Sequence, residues 1–385
     1  MIGLASMAFF ALSNILATST LSPSDAFAGE MLLLAVGIVG LVGGGFCLYH
    51  SIRVLFFRKP SETLRLPRFW IFLLCYLVLL GLGYWRHVQG QDITVPALTG
   101  LLIFLCALFP ALTIVALGIR RLRASKSAAA PTTWRRFTLA MVCGATLSVA
   151  LAYILELALQ YLLLGSQGNE VLQYLNNSNA GSPDPSLYGV LFVMLAVIAP
   201  LVEEMVKPLA VIVLIGRVQS KAEAFALGLA CGIGFNLVET TGYISSGYSG
   251  WLNVALIRSG AGLLHGFGAA MVALGWYCLT HKEEGSWSRR ILLALGCAGY
   301  AIFQHALWNG SWALGLLPGA IGSFYQNWVW TIGPISIDAD GLTNILEVIG
   351  ILIFFVIMSG RLRPKKDPAS AGETTSSQPQ FTIQG

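Results

Sequence analysis

Long apolar runs, separated by short polar connectors, recur along this chain at about 31 to 49, 69 to 85, 96 to 118, 137 to 164, 187 to 215, 223 to 243, 254 to 279, 291 to 315 and 342 to 360. A helix needs about 20 apolar residues, at 1.5 Å rise each, to cross roughly 30 Å of hydrocarbon. The pattern therefore predicts nine membrane spans. Residues 1 to 21 form a further apolar stretch, followed by Ala26-Phe27-Ala28, which has the small-residue character of a cleavage site. The stretch lacks the positive n-region of a signal peptide, which favours an uncleaved tenth span. The fold class expected is all-α, a polytopic transmembrane bundle of 9–10 spans.

The basic residues follow the same alternation. Arg53, Arg58, Lys59, Arg65 and Arg68 fall in the first connector, and Arg120, Arg121, Arg123, Lys126, Arg135 and Arg136 in the third. Arg217 and Lys221 fall in the fifth, Lys282, Arg289 and Arg290 in the seventh, and Arg361, Arg363, Lys365 and Lys366 in the tail. Twenty of the 23 basic residues thus sit on alternate connectors, leaving Arg86, Lys207 and Arg258 elsewhere. By the positive-inside rule those connectors and the C-terminus are cytoplasmic.

Composition narrows the class further. Only 11% of the 385 residues are charged and 56% are hydrophobic, whereas a soluble domain carries about 25% charged residues. This excludes a soluble protein, and it excludes a disordered one, which needs the opposite balance. The net charge of +5 is absorbed by membrane flanks, so no nucleic-acid partner is expected; the partner is the lipid bilayer. The seven cysteines stand singly in apolar runs without a C-x-x-C pair, which indicates neither a disulfide framework nor a thiolate metal site.

Against this background the polar residues inside the spans stand out: Glu156, Glu203, Glu204, Lys207, Asn236, Glu239, His265, His305, Asn309 and Glu347. A charge at mid-bilayer costs about 2.5 to 3.5 kcal/mol on insertion scales and marks a functional site by default. Counted from the basic ends of their spans, Glu203, Glu239, His265 and His305 all lie about 12 to 16 residues in, or roughly 18 to 24 Å. Four helices of alternating direction therefore bring carboxylates and imidazoles to one level. Glu203 and Lys207 are four apart and can pair, while Glu204 points about 100° round the helix. Pro200 and Pro208 bracket the pair and loosen the helix there. Phe235 and Glu239, and His305 and Asn309, repeat the four-residue spacing, and the glycines of 228 to 234 and 260 to 268 let their helices approach closely. Glu156 and Glu347 lie near outer span ends, where a carboxylate is cheap. His50, His87 and His281 fall beside connectors and read as solvated.

Such a cluster can activate water for hydrolysis. Neighbouring carboxylates in a low-dielectric site divide into acid and base. In a metal version Glu239, His265 and His305 form a two-histidine, one-carboxylate set for Zn2+ with Glu203 or Glu204 as base; in a metal-free version the imidazoles and Asn309 donate to a developing oxyanion. A proton- or cation-coupled transporter could use the same glutamates, although no inverted repeat is evident.

The ordered set Glu203-Glu204-x-x-Lys207, Phe235-x-x-x-Glu239, His265 and His305-x-x-x-Asn309 resembles the PrsW family of intramembrane proteases, relatives of the type II CAAX prenyl proteases and the bacteriocin-processing group. The resemblance implies hydrolysis of peptide bonds in membrane protein substrates such as single-span anti-sigma factors, in a bacterial plasma membrane. By matching position it gives Glu203 and Glu204 the water-activating role, and Glu239, His265 and His305 site-forming or metal-binding roles, with Asn309 catalytic and Lys207 and Phe235 supporting. Glu239 stands where the prenyl proteases have histidine, which argues for the PrsW branch. The chain then divides into an N-terminal apolar segment (1–30), a transmembrane region of open role (31–180), a protease core (181–320), a last span (321–360) and a disordered cytoplasmic tail (361–385).

Overall fold

The computed structural model describes residues 38–90, 96–125, 128–168, 170–171, 185–246, 250–332 and 335–364. The segment 1–30, most of the connector between 166 and 186, and the tail beyond 364 lie outside the described residues, so the readings made of them are not addressed by it. The chain is all-α and polytopic. Among the described residues eight helices are long and apolar enough to cross a membrane: α2 (Phe69–Val88), α3 (Leu98–Arg121), α4 (Trp134–Leu164), α5 (Leu187–Arg217), α6 (Lys221–Ser245), α7 (Trp251–Thr280), α8 (Trp287–Leu316) and α10 (Ala339–Arg361). They coincide with eight of the nine predicted runs.

The first run differs. Its described part is the shorter helix α1 (Leu41–Leu55), which continues past residue 49 to carry His50 and Arg53. His50 is not solvated as expected but buried, its ring stacked parallel on Trp134 of α4 at 6.4 Å. The sequence placed it in a connector because polarity rises there, whereas the helix simply continues and turns that side inward.

α6 and α7 form the centre. α6 packs along α7 and against α3 and α4, and α7 is covered on its other side by α8. Phe225, Phe267 and Phe355 interlock α6, α7 and α10 with ring centroids 5.5 to 6.1 Å apart. Absent side chains make these contacts close: a Cβ on Gly232 would lie 2.1 Å from the His265 carbonyl oxygen, and one on Gly144 would lie 1.9 Å from that of Cys231. Backbones meet directly at both places, as small-residue interfaces in membranes allow. The outer helices α2 and α10 instead present long apolar faces, including Leu77, Val78, Ile349 and Ile353.

Two local departures from regular helix bear on the site. In α4 and α5 the segments Gly144–Ser148 and Val193–Ile198 are π-helical, and α5 breaks again at Pro208, which has no N–H to continue the ladder. There Val211 N–H turns back to the Pro208 carbonyl (2.8 Å), and the Lys207 carbonyl accepts instead from Ser148 Oγ at 3.1 Å. Between α8 and α10 lie three elements the apolar pattern did not predict: the short helix α9 (Ala320–Asn327) and the two strands of an antiparallel hairpin, β1 (Val329–Ile332) with β2 (Ile335–Asp338), pairing Thr331 with Ser336.

Candidate active site

The four predicted helices deliver their polar groups to one place. α5 supplies Glu203, Glu204 and Lys207; α6 supplies Phe235 and Glu239; α7 supplies His265; α8 supplies His305. Lys207 is fully buried, and its ammonium is the hub. Nζ lies 2.6 Å from Glu204 Oε1, 3.0 Å from Glu203 Oε2 and 2.6 Å from His265 Nδ1, over the Phe235 ring at 4.7 Å. A buried ammonium is tolerable only with such opposite charge around it.

The hydrogen bonds fix the two imidazoles in opposite tautomers. A lysine ammonium can only donate, so His265 Nδ1 accepts from it and the ring proton sits on Nε2, which faces Glu239 Oε2 at 2.9 Å. His305 Nδ1 is 2.9 Å from Glu204 Oε1, which can only accept, and 3.4 Å from the Lys207 ammonium, which can only donate; the shorter contact, to the carboxylate, assigns the proton to Nδ1. His305 therefore presents an Nε2 lone pair, 3.9 Å from Glu203 Oε2, and this buried nitrogen has no hydrogen-bond partner among the described residues, while Oε2 is held by the Lys207 ammonium. The two rings meet edge to face, centroids 4.9 Å apart.

The paired glutamates are not equivalent. Glu204 is fully buried and committed to Lys207 and His305; its carboxylate fits because α7 has Gly268 opposite, where a Cβ would come within 2.5 Å of Glu204 Oε2. Glu203 retains 8% exposure and has no hydrogen bond or ion pair at Oε1. Of the pair it is the accessible carboxylate.

Glu239 is held from the far side by Arg258 of α7, Nη2 to Oε1 3.0 Å, and Arg258 also lies over the Tyr243 ring at 4.3 Å. Sequence reasoning did not place Arg258 in the site, yet it was one of three basic residues off the basic face, which is the signal that could have found it. Gln304, beside His305, was also missed; it is buried and ties α8 to α7 through the Leu264 carbonyl at 2.8 Å. Glu156 is closer to the site than a surface carboxylate would be. It lies one turn past Ala152, which packs with Val202, Val206 and Phe235, and it interacts electrostatically with Glu203 and Glu239. Asn309 is not brought into the cluster. Its amide donates to the Leu195 carbonyl at 3.0 Å and so docks α8 on the π-helical turn of α5. Glu347 lies on α10 near Tyr300, outside the group.

The donor set can be tested for a metal ion. Glu203, His265 and His305 each offer a ligand atom, all within 4.8 Å of one another, and carboxylate oxygen with imidazole nitrogen is a zinc-type set. His305 Nε2 is buried without a hydrogen bond among the described residues, and the Glu204 contact at Nδ1 orients His305 from behind as an outer-shell carboxylate does. The residues fit. They differ from the set read from the sequence in having Glu203 where Glu239 was expected, because Glu239 is turned toward Arg258.

The family described as PrsW family intramembrane metalloprotease matches residues 130–333, a stretch that begins before α4 and ends in the hairpin. No curated protein and no solved structure matches the chain. The match favours hydrolysis over a transporter's use of the same glutamates. A match over more than half of the chain, centred on a buried cluster of carboxylates and imidazoles, makes this protein a multi-pass intramembrane endopeptidase, and the chain belongs to the PrsW family of intramembrane metalloproteases.

Proposed function

We propose that the enzyme cleaves a peptide bond in a membrane-anchored substrate, of the class of single-span anti-sigma factors, with a water activated by Glu203. The observation that supports this is the 3.9 Å approach of Glu203 Oε2 to His305 Nε2, where the imidazole nitrogen has no hydrogen-bond partner among the described residues, Oε2 is engaged by the Lys207 ammonium, and Glu203 is the less deeply buried of the acidic pair. A reacting oxygen to one side of the line joining them can hydrogen-bond with both, at about 2.8 Å from each. Glu203 takes the water's proton at Oε1, the oxygen without an internal partner, and returns it to the leaving amine. Glu204 holds His305 through Nδ1 and Lys207 through its ammonium, so that neither side chain turns away. Glu239, braced by Arg258, holds the His265 ring in place.

A bound zinc-type ion would be held by Glu203, His265 and His305, and it would supply Lewis-acid polarisation of the scissile carbonyl. Lys207 makes contact with all three of these residues, with Glu203 Oε2 at 3.0 Å, His265 Nδ1 at 2.6 Å and His305 Nδ1 at 3.4 Å, so its ammonium balances the carboxylates when that charge is absent. In this reading the C-terminus is cytoplasmic, as the bias of basic residues to alternate connectors supports, the membrane is a bacterial plasma membrane as for the family's anti-sigma-factor substrates, and the cluster works at or beyond the midplane. The test is co-expression with a tagged single-span substrate: the wild-type chain releases a shortened fragment and Glu203→Gln does not. Equal cleavage by Glu203→Gln would overturn the assignment of the base.

A further inference from the structure

Far from the glutamates, at the end of the bundle that carries the basic connectors, lies an open cleft of about 650 Å³. The start of α2, the end of α3 and the end of α10 form it, so it sits at the level where these helices leave the membrane. Arg68, Arg120, Arg121, Arg123 and Arg363 line it, and no Asp or Glu does. Five guanidiniums around one cleft repel each other unless something anionic is shared between them.

Their internal bonds show how much capacity is left over. Arg121 braces α3 against α10, with Nε donating to Ser359 Oγ (2.9 Å) and Nη2 to the Val356 carbonyl (2.7 Å). Arg363 reaches back to the Ala124 carbonyl (2.9 Å), and Arg123 Nη2 donates to the Leu64 carbonyl (3.3 Å) while its Nε is buried with no partner. Arg68 and Arg120 are exposed, and their guanidiniums make no hydrogen bond or ion pair among the described residues. Helix C-termini alone would be satisfied by fewer cations. The remaining wall is apolar, from Leu66, Phe69 and Leu117, and it continues onto the exposed face of α2 at Trp70 and Leu73.

We infer that this cleft binds a phosphate-bearing anion, presented by an anionic phospholipid whose headgroup is gripped by the arginines while its acyl chains follow α2. Guanidinium matches phosphate geometry with two parallel hydrogen bonds. Basic pockets between spans are where anionic headgroups lodge, and an inorganic ion would leave the apolar wall unused. The site is separate from the peptidase centre and assigns it no step.

The test uses the full chain in a non-ionic detergent, with native mass spectrometry reading bound lipid. Phosphatidylglycerol should bind saturably, more weakly as salt rises, and phosphatidylcholine should not. The double variant Arg68→Gln/Arg120→Gln, which breaks no internal bond, should lower phosphatidylglycerol affinity roughly tenfold or more. Arg65→Gln/Arg361→Gln, which removes two basic residues outside the cleft, should leave it unchanged. Equal losses in the two double variants would show a diffuse surface potential and overturn the proposal, as would equal binding of the two lipids. Inorganic phosphate is titrated separately: binding of phosphate with no binding of phosphatidylglycerol would identify a soluble anion and overturn the lipid assignment. Should the first double variant unfold, the salt dependence and lipid selectivity of the wild-type chain decide the question.

Discussion

Lys207 Nζ lies 2.6 Å from His265 Nδ1, and this contact decides which lone pairs the site has to offer. With Nδ1 accepting from the ammonium, His265 turns its N–H to Glu239, and the lone pair facing Glu203 belongs to His305. Lys207 therefore organises the site as well as neutralising it. Replacing it by Met leaves Glu203 and Glu204 buried without a cation, and breaking a buried pair from one side costs about 3 to 5 kcal/mol. Lys207→Met should lose that much stability in a detergent unfolding assay, whereas Lys207→Arg, which keeps the charge, should retain most of it. A Met variant as stable as wild type would show that the carboxylates do not need the ammonium.

The two glutamates should separate in experiment as they do in the structure. Glu203 is the less buried carboxylate and its loss leaves Lys207 paired with Glu204, so Glu203→Gln should lower the melting temperature less than Glu204→Gln does and lose about 10²- to 10⁴-fold in cleavage rate, the range of general base catalysis. Glu204 has no exposure and bonds both Lys207 and His305. Glu204→Gln should therefore lower protein abundance and melting temperature as well as activity. Equal melting temperatures for the two variants would remove the distinction.

Glycine substitutions offer a test of packing independent of charge. Gly232→Ala places a methyl 2.1 Å from the His265 carbonyl oxygen, where only backbone can give way, and overpacking of this kind costs about 1 to 3 kcal/mol or more. Gly268→Ala meets Glu204 Oε2 at 2.5 Å; a pinned carboxylate must swing aside, and a displacement of about 1 Å at a catalytic group can cost about 10²-fold in rate. Gly296→Ala meets nothing within 4 Å and should be neutral within about 0.5 kcal/mol. Thermal unfolding and cleavage rate, measured together on the three variants, distinguish a helix-packing effect from a site effect.

The location of the site was legible in the sequence because a charge within an apolar run has few structural excuses, and because four such residues shared one depth. Their division of labour was not, since it depends on helix rotation and on bonds that only folding creates. Spacing put Asn309 on the same stripe as His305, yet its amide went to Leu195. That residue lies five before Pro200, whose ring lacks the N–H that would close a π-type bond, and nothing in the spacing announces a π-helical turn. Arg258 was visible as a misplaced cation but could not be paired with Glu239 until α7 broke at Ser259-Gly260 and turned it inward. The hairpin was passed over for a different reason: Val329-Trp330-Thr331-Ile332 and Ile335-Ser336-Ile337-Asp338 flank a Gly-Pro pair, a turn signal, but the short apolar stretches were read only against the length of a span.

Metal dependence follows from the same atoms. Glu203 and His265 are touched by Lys207 and would also be ligands, so an entering divalent cation competes with an ammonium for them, while His305 Nε2 is available without any rearrangement. Chelation of the purified chain should therefore remove about one metal equivalent together with activity, and Zn2+ should restore both. His305→Gln should abolish stoichiometric binding, because it deletes the imidazole lone pair that is already free. Lys207→Met, stability permitting, should bind Zn2+ more tightly than wild type, since the competing positive charge is gone and each tenfold gain corresponds to about 1.4 kcal/mol. Equilibrium dialysis with elemental analysis reads all three without reliance on cleavage. Full activity in metal-free protein would leave Glu203 and the imidazoles to act on water unaided; weaker Zn2+ binding by the Met variant would mean that Lys207 supports the ligands and does not compete for them.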